Sequence, residues 1–453
     1  MLIDIIRKAF APTNPIRLFW HWIWGVEAKL RYGNPSRKLK VIGITGTNGK
    51  TTTSNLIARI LEENGEVVAL ATTINFQLGK KKWENLTKMT SLGRGGIQKF
   101  LKQAVKAKCT YAVIEVSSHA LVQSRVLGVD FDAAVLTNIT QDHLDFHGSM
   151  EEYRRAKEIL FKKLAKNNKP ESIAILPAED AATPYFAKIP DIGITTFGVS
   201  EGDFHAENLQ VRENTQHFEV VGGEKKFEIE TQLLGNFNVA NILAATALCL
   251  DLGVKPSVIT KAFQKIQPLP GRLEAVNAGQ PFRVIVDYAH TPDALEKLLR
   301  TFRAVTSGKV WIVFGATGDR DRRKRPIMGD ILDKLADEIV ITTDDSFTED
   351  RQQIIDEVLA GIHRKAGEGL TVNIDRKAAV THALMQAQAG DTVLLAGKGC
   401  EQFQVIGHTK IPWDDRVVAA EILKRRFAKT PQKKSATKLH KHRSNRGSKQ
   451  SKN

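Results

Sequence analysis

Cysteine is scarce. The 453 residues hold three, Cys109, Cys249 and Cys400, far apart and without a Cys-x-x-Cys pair. That argues against a zinc ribbon and fits a reducing compartment, so a cytoplasmic protein is expected. Long apolar runs are lacking as well. The stretch IRLFWHWIWGVEAKL near the start has an apolar core far too short to span a bilayer, and His21 interrupts it. No small-residue cleavage site follows, which argues against a signal peptide. Acidic residues are missing from the last thirty positions: residues 424–453 carry 12 Lys/Arg and no Asp or Glu. Residues 1–40 carry 8 Lys/Arg against Asp4 and Glu27. The formal net charge of +16 therefore belongs to the two ends, and the body, 41–423, is left at −2.

The ends are read separately. The tail 424–453 is rich in Lys and Ser and nearly free of apolar residues, so it cannot bury enough surface to offset its ordering entropy and is expected to be disordered. Within residues 1–40, three of the six tryptophans fall in five positions, flanked by Arg17, Lys29 and Arg31. Such a helix suits a membrane interface; packing on the body of the protein is the alternative. Peripheral membrane contact is thus expected through 16–30 or the basic tail, and no specific nucleic-acid partner.

From Val41 the chain alternates short apolar runs with helical patterns. KVIGITG, TYAVIEV and AAVLTN have the composition of buried strands. GGIQKFLKQAVKAK places Ile97, Phe100, Leu101, Ala104 and Val105 on one helical face. This rhythm predicts a mostly parallel sheet with helices on both sides. Between about 171 and 232, ITTFGV, HFEVV and KFEIETQLL suggest short strands in an antiparallel annex. After PLPGRLEAV a second α/β series begins, with FRVIVDYAH, KVWIVFGATGD, EIVITTDD and DTVLLAGKG as strands. The expectation is α/β: a central P-loop ATPase domain over 41–270 and a C-terminal Rossmann-like α/β domain over 271–423, with the site in the cleft between them. Residues 1–40 form a separate Trp-rich segment.

GITGTNGKTTT (43–53) lies between a strand and a helix, as a phosphate loop should. Gly46 and Gly49 allow a tight path, the exposed amides attract phosphate, Lys50 supplies a charge and Thr51 can reach Mg²⁺. Ile44 stands where the common GxxxxGK[ST] form needs glycine, which weakens a motor or GTPase assignment. Glu115 ends the strand TYAVIEV, placed to bind Mg²⁺ or orient an attacking group, with Ser117, Ser118 and His119 beside it. TNITQDHLDFHGS gathers Asp142, His143, Asp145 and His147, and His143 could complete a second metal site. In SMEEYRRAKEILFKKL, Ser149 and Glu152 form a capping box. Lys157 falls on the apolar stripe of Tyr153, Ala156, Leu160, Phe161 and Leu164. A buried ammonium is costly unless paired or neutralised. Either Lys157 snorkels outward, or a lowered pKa lets its free amine take up CO₂ as a metal-binding carbamate. In the second domain, Asp287 and His290 follow one strand, and GATGDRDRRKRP follows another; for Arg322 and Arg323 a solvated loop is the expected setting.

GTNGKTT, EVSSHAL, NITQDHLDFHG, YRRAKEILF, LLGNFNVANILAA, PGRLE, VDYAHTPDAL, GDRDRRKRP and GKGCE occur in this order across 41–423. Together they resemble the Mur ligase family, nearest the MurE type, which adds the third amino acid of the peptidoglycan peptide. The resemblance implies ATP and Mg²⁺, two ions, as cofactors, and a UDP-muramoyl-peptide and a free amino acid as substrates. In that family the γ-phosphate moves to a substrate carboxylate and an incoming amine displaces it. Position by position it implies that Gly46, Thr47, Asn48, Gly49, Lys50, Thr51 and Thr52 hold ATP phosphates. Asn238 and Asn241 would lie near the adenine, with Arg272 and His290 closing over ATP. Thr51, Glu115, His143 and Lys157 would bind metal, Lys157 as a carbamate, and Lys50, Glu115, His143 and Lys157 would be catalytic. Ser117 and Arg125 would contact the muramoyl-peptide, and Glu401 the incoming amino acid.

Departures accompany the likeness. About forty residues precede the ATPase strand, so the family's N-terminal uridine-binding domain is expected to be missing or reduced to a stub. The substrate stretch reads NLTKMTSLG, the DNPR motif is replaced by DDSF at 344–347, and GKGHE has become GKGCE. A lipid-linked muramoyl substrate is the alternative within the same chemistry, although the relatives that use one typically carry a cysteine cluster absent here. Folylpolyglutamate synthases are similar but favour GKGS over GKTT. A nucleic-acid-dependent ATPase using the basic tail is the alternative from another class.

Overall fold

The computed structural model describes residues 13–427, apart from 88, 94, 168–171 and 213–214. The first sheet has eight strands: β1 (Lys40–Thr45), β2 (Val68–Ala71), β3 (Asn75–Leu78), β4 (Lys81–Glu84), β5 (Tyr111–Glu115), β6 (Ala133–Leu136), β7 (Ile173–Pro177) and β8 (Gly193–Phe197). Their order is β4-β3-β2-β5-β1-β6-β7-β8. All neighbours pair parallel except β2–β3 and β3–β4. β1 is central and buried on both faces, so Ile42 and Ile44 enter one core and Val41 the other. The helix Lys50–Glu63 packs on one face, sharing a core with Asn236–Asp251, while Gly96–Lys106 and Met150–Lys166 fill the other.

Register decides where the chemistry collects. Ile44 sits opposite Glu115, and Thr45 opposite Leu136. Three strands therefore end together, and the loops that leave them, at 46–49, 116–117 and 137–143, meet on one edge of the sheet.

Two sequence assignments change. ITTFGV is not part of the annex: β8 pairs parallel with β7 and extends the main sheet. A run this short carries no usable period, and the open edge of β7 claims it. The annex itself is β9 (His205–Arg212), β10 (Thr215–Gly222) and β11 (Lys225–Thr231), antiparallel, with alternate residues of β10 buried. The second change is at the C-terminus. Lys424–Phe427 continue the helix Asp415–Phe427, whose Ala419 and Leu423 pack into the second domain. Composition had placed them in the tail; the rest of that tail lies outside the described residues.

The second sheet contains β12 (Glu274–Ala275), β13 (Arg283–Asp287), β14 (Val310–Phe314), β15 (Glu338–Ile341), β16 (Leu370–Val372) and β17 (Thr392–Ala396), in the order β12-β13-β17-β14-β15-β16. Only β12 runs antiparallel. A hairpin, β18 (Phe403–Ile406) and β19 (Thr409–Pro412), follows β17. Both lobes are thus α/β with mainly parallel sheets. Asn48 Nδ2 donates to Asp293 at 2.8 Å, Lys324 Nζ lies 3.5 Å from Asp142, and Gln402 Nε2 donates to Glu84 at 2.7 Å, each contact joining the two lobes.

Candidate active site

The loop 46–49 is held by the ends of β1 and β6. Thr47 N–H donates to Asn138 O at 2.9 Å and Asn48 N–H to Asn138 Oδ1 at 3.0 Å. Gly46 has φ +145°, and a Cβ there would meet Thr137 Oγ1 at 1.9 Å. At Gly49, φ +82°, a Cβ would stand 2.2 Å from Asn241 Oδ1. Only glycine serves at either place. Lys50 curls back to donate to Gly46 O at 3.0 Å and Thr47 O at 2.6 Å.

Glu115 accepts from Thr51 Oγ1 at 2.9 Å, from Thr73 N–H at 2.8 Å and from Thr73 Oγ1 at 3.1 Å. A carboxylate and a threonine hydroxyl at the head of a phosphate loop are the oxygen donors a hard Mg²⁺ ion prefers, so these residues fit the ion the family implies. His143 sits beside them in the left-handed region, φ 55°, its ring Nε2 3.3 Å from Asp142. Burial lowers the His143 pKa to about 3 although Asp142 opposes it, leaving a neutral imidazole able to act as a ligand. Burial would raise Asp142, but His143 and the Lys324 ammonium hold it below the usual carboxylate range.

Lys157 is 1% exposed, so it does not snorkel. Its Nζ donates to Gly46 O at 2.7 Å and lies 4.2 Å from the centre of the Tyr153 ring. Burial drives its pKa well down, Lys50 adds to that, and Asp142 only partly opposes. An amine so placed favours its neutral, nucleophilic form. The helix that carries it starts at Ser149, whose Oγ accepts from Glu152 N–H at 3.2 Å. The capping box is half formed, because the Glu152 carboxylate turns to Arg155 instead.

A cavity of about 980 Å³ runs from Asn48, Gly49 and Thr52 past Asn238 and Asn241 to Arg272 and His290. A second, of about 540 Å³, contains Lys50, Thr51, Glu115, His143, Lys324 and Glu401. The two share Asn48, Gly49, Thr52, Arg272, Tyr288 and His290, so they form one continuous cleft between the lobes. Arg272 stacks 4.6 Å from the Tyr288 ring centre, and its buried Nε has no hydrogen-bond partner among the described residues. His290 Nδ1 lies 2.7 Å from Tyr288 O, and burial, aided by Lys324, lowers its pKa to about 4. Ser117 and Arg125 stand farther along the same edge, joined through Ser91: Ser117 N–H donates to Ser91 Oγ at 2.9 Å and Arg125 Nη1 to Ser91 O at 3.2 Å. Glu401 binds Lys398 Nζ at 2.6 Å.

With this geometry in view, residues 44–249 match the Mur ligase middle domain and residues 271–399 the Mur ligase glutamate ligase domain. The chain belongs to the Mur ligase family. It is 43% identical over 399 residues to the UDP-N-acetylmuramoyl-L-alanyl-D-glutamate–2,6-diaminopimelate ligase of Geobacillus thermodenitrificans (strain NG80-2), covering 87% of this chain and 81% of that one. Identity to the UDP-N-acetylmuramyl-tripeptide synthetase of Roseiflexus sp. (strain RS-1) is 39% over 406 residues, 86% of this chain and 80% of that one. A solved structure of a UDP-N-acetylmuramoyl-L-alanyl-D-glutamate–2,6-diaminopimelate ligase superposes with a TM-score of 0.60 at 34% identity, over 86% of this chain and 79% of that one. As a Mur ligase this chain is an ATP-dependent acid–amino-acid ligase.

Some residues of this Mur ligase site escape sequence reasoning. Lys324 and Arg325 come from GDRDRRKRP, where every charged position looks alike. Lys324 is buried against Asp142, and Arg325 is clamped by Glu349 at 2.8 Å and Glu357 at 2.6 Å. Their neighbours Arg322 and Arg323 remain exposed, as expected. Thr73 lies in a turn without a signal of its own. Asp287 lines the larger cavity and also accepts from Leu273 N–H at 2.9 Å and Ala289 N–H at 2.8 Å.

Proposed function

We propose that this Mur ligase adds a free amino acid to a UDP-N-acetylmuramoyl-peptide through an acyl-phosphate, in the cytoplasmic assembly of peptidoglycan precursors. The observation that carries this is the single cleft with the phosphate loop, Glu115 and His143 on one wall and Arg272, His290, Lys324 and Glu401 on the other. Nucleotide enters the larger cavity, its adenine beside Asn238 and Asn241 and its phosphates on the amides of 46–52. Lys50 exchanges its loop carbonyls for phosphate oxygens, and Arg272 and His290 close from the second lobe.

Thr51 and Glu115 would hold one Mg²⁺, and His143 with carbamylated Lys157 a second; the ions supply charge neutralisation for phosphoryl transfer. The fit of Lys157 rests on its neutral amine and its hydrogen bond to Gly46 O, which keep it beside the phosphate loop. Ser117 and Arg125 orient the muramoyl-peptide so that its carboxylate oxygen attacks the γ-phosphorus and ADP leaves. Glu401 holds the incoming amino acid, whose nitrogen takes the acyl carbon and releases phosphate.

Purified protein given ATP, a UDP-muramoyl-dipeptide and a panel of lysine, diaminopimelate, ornithine and alanine is expected to release phosphate only when both acceptors are present. Release that needs neither acceptor would refute the proposal, and positional isotope exchange in ATP with the dipeptide alone tests for the acyl-phosphate.

A further inference from the structure

The helix Pro15–Tyr32 is built inside out for a helix on a soluble domain. It is capped at both ends, by Asn14 Oδ1 accepting from Ile16 N–H at 2.9 Å and by Gly33 at φ 72°. Its inward face carries Gly25 and Ala28, the buried residues, with His21 and Trp24 half-buried beside them, and a Cβ on Gly25 would stand 2.9 Å from Leu127. Large apolar residues recur at 16, 19, 23, 26 and 30, the three-and-four spacing of a single stripe. Ile16, Phe19 and Leu30 of that stripe point away from the body, and Ile23 and Val26 are half-buried. Phe19 is 58% exposed and Leu30 76%, and Trp20 and Trp22 flank them at 40% and 48%. Phe19 and Trp22 stack on each other with ring centres 6.0 Å apart. A surface helix normally turns such a stripe toward the core.

What surrounds the stripe is basic. Lys29 and Arg31 occupy the last turn, and the adjoining helix Gly96–Lys106 exposes Lys99, Lys102 and Lys106, with Lys102 Nζ 5.8 Å from the Tyr32 ring centre. Glu27, paired with Arg31 at 3.5 Å, is the acidic residue of the helix. An outward row of Phe, Trp and Leu bordered by cations matches the depth profile of an anionic bilayer, aromatic rings at headgroup level and cations against phosphates. A second copy of the chain fits less well, because a symmetric contact would press two basic borders together. Residues 1–12 bring Arg7 and Lys8 against Asp4 alone and, still net positive, would leave that border unneutralised. No helix among the described residues is long and apolar enough to cross a membrane.

We propose that Pro15–Tyr32 docks this enzyme on the surface of an anionic lipid bilayer, lying in the interface with Phe19, Trp20, Trp22 and Leu30 inserted. The helix lines a small cavity with Gln98, Gln123, Arg125 and Leu127, so docking sets the acceptor end of the cleft close to the headgroups.

The test is co-sedimentation of the full chain with vesicles of phosphatidylcholine containing phosphatidylglycerol, against phosphatidylcholine alone. The parent is expected to sediment with the anionic vesicles, with a blue shift in tryptophan emission. The variant Phe19→Ser/Trp22→Ser/Leu30→Ser should bind at least about tenfold more weakly, with acceptor-dependent phosphate release unchanged. Leu30→Asp, a single change at the most exposed position, gives the same comparison if the triple variant does not fold. Failure of the parent to bind overturns the proposal. So does equal binding by parent and variants, which would assign the contact to the basic tail. A parent that is dimeric, made monomeric by these substitutions without binding vesicles, also overturns it in favour of a second copy.

Discussion

Lys157 and Lys398 are both withdrawn from solvent, one in each lobe, and their surroundings give them opposite character. Lys157 meets a carbonyl, a tyrosine ring and the nearby Lys50 charge, and burial lowers its pKa well below the ordinary range. Lys398 is ringed by Asp345 at 2.7 Å, Glu401 at 2.6 Å and Asp344 at 3.2 Å. Burial by itself would lower its pKa too, yet Asp344, Glu401 and Asp345 outweigh it and the net shift is upward. Burial penalises the charge in both places; the partners decide the outcome. One lysine has its charge disfavoured, and the other is held as a cation by three carboxylates.

The comparison breaks most visibly in activity. Lys157→Ala is expected to lower acceptor-dependent phosphate release by on the order of 10³-fold, with partial rescue by added short carboxylates. Carbon-13 NMR after equilibration with labelled bicarbonate should show a carbamate signal that the variant lacks. Full activity of Lys157→Ala in bicarbonate-free buffer would remove the carbamate from the mechanism.

In stability the ranking reverses. Lys398→Met leaves three carboxylates facing one another and should cost about 3–5 kcal/mol in urea unfolding. Lys157→Met loses one hydrogen bond but relieves a buried amine, and should change stability by no more than about 1 kcal/mol. Equal losses would show that both lysines are structural.

Acid sharpens the contrast further. Burial would raise Asp344, but Lys398 and then Arg376 hold it below the ordinary value. Its contribution is therefore present above about pH 4 and lost as pH falls through the folded value. Lys398, with a raised pKa, contributes fully below about pH 10 and loses that contribution as pH rises further. In Lys398→Met the unpartnered carboxylates favour protonation in the fold. The variant should gain stability as pH falls toward about 4, above the range in which the parent loses it, which urea midpoints between about pH 6 and pH 3 would register.

The smallest effect falls within GDRDRRKRP. Arg323→Ala removes an exposed guanidinium from the buried Asp321, whose carboxylate keeps the Arg323 N–H at 3.1 Å, and should lower the thermal midpoint only slightly. Two positions on, Arg325 holds Glu349 and Glu357 while only 1% of its side chain is exposed, so Arg325→Ala should cost several times more.

Much of this site was legible because its signals are local. A strand, GTNGKTT and a helix follow one another between Lys40 and Glu63, and Lys157 betrays itself by falling on an apolar stripe. The placements of Asn238 and Arg272 came from family likeness, since nothing in their own neighbourhoods marks them, whereas His290 was marked by its position after a strand. What stayed illegible depends on distant partners. Arg325 is set apart from Arg323 chiefly by Glu349 and Glu357, 24 and 32 residues away. ITTFGV joined the main sheet because β7 offered an edge. Asp287, placed like a ligand, also accepts from two backbone amides.

The order of elements, the phosphate loop and the family were written in the chain itself, since backbone dihedral preference and side-chain period act over a few neighbouring residues. The protonation of each buried amine and the outward face of the first helix were decided only by tertiary structure. Charge and burial are properties of a neighbourhood in space, and here that neighbourhood is assembled from segments tens to hundreds of residues apart.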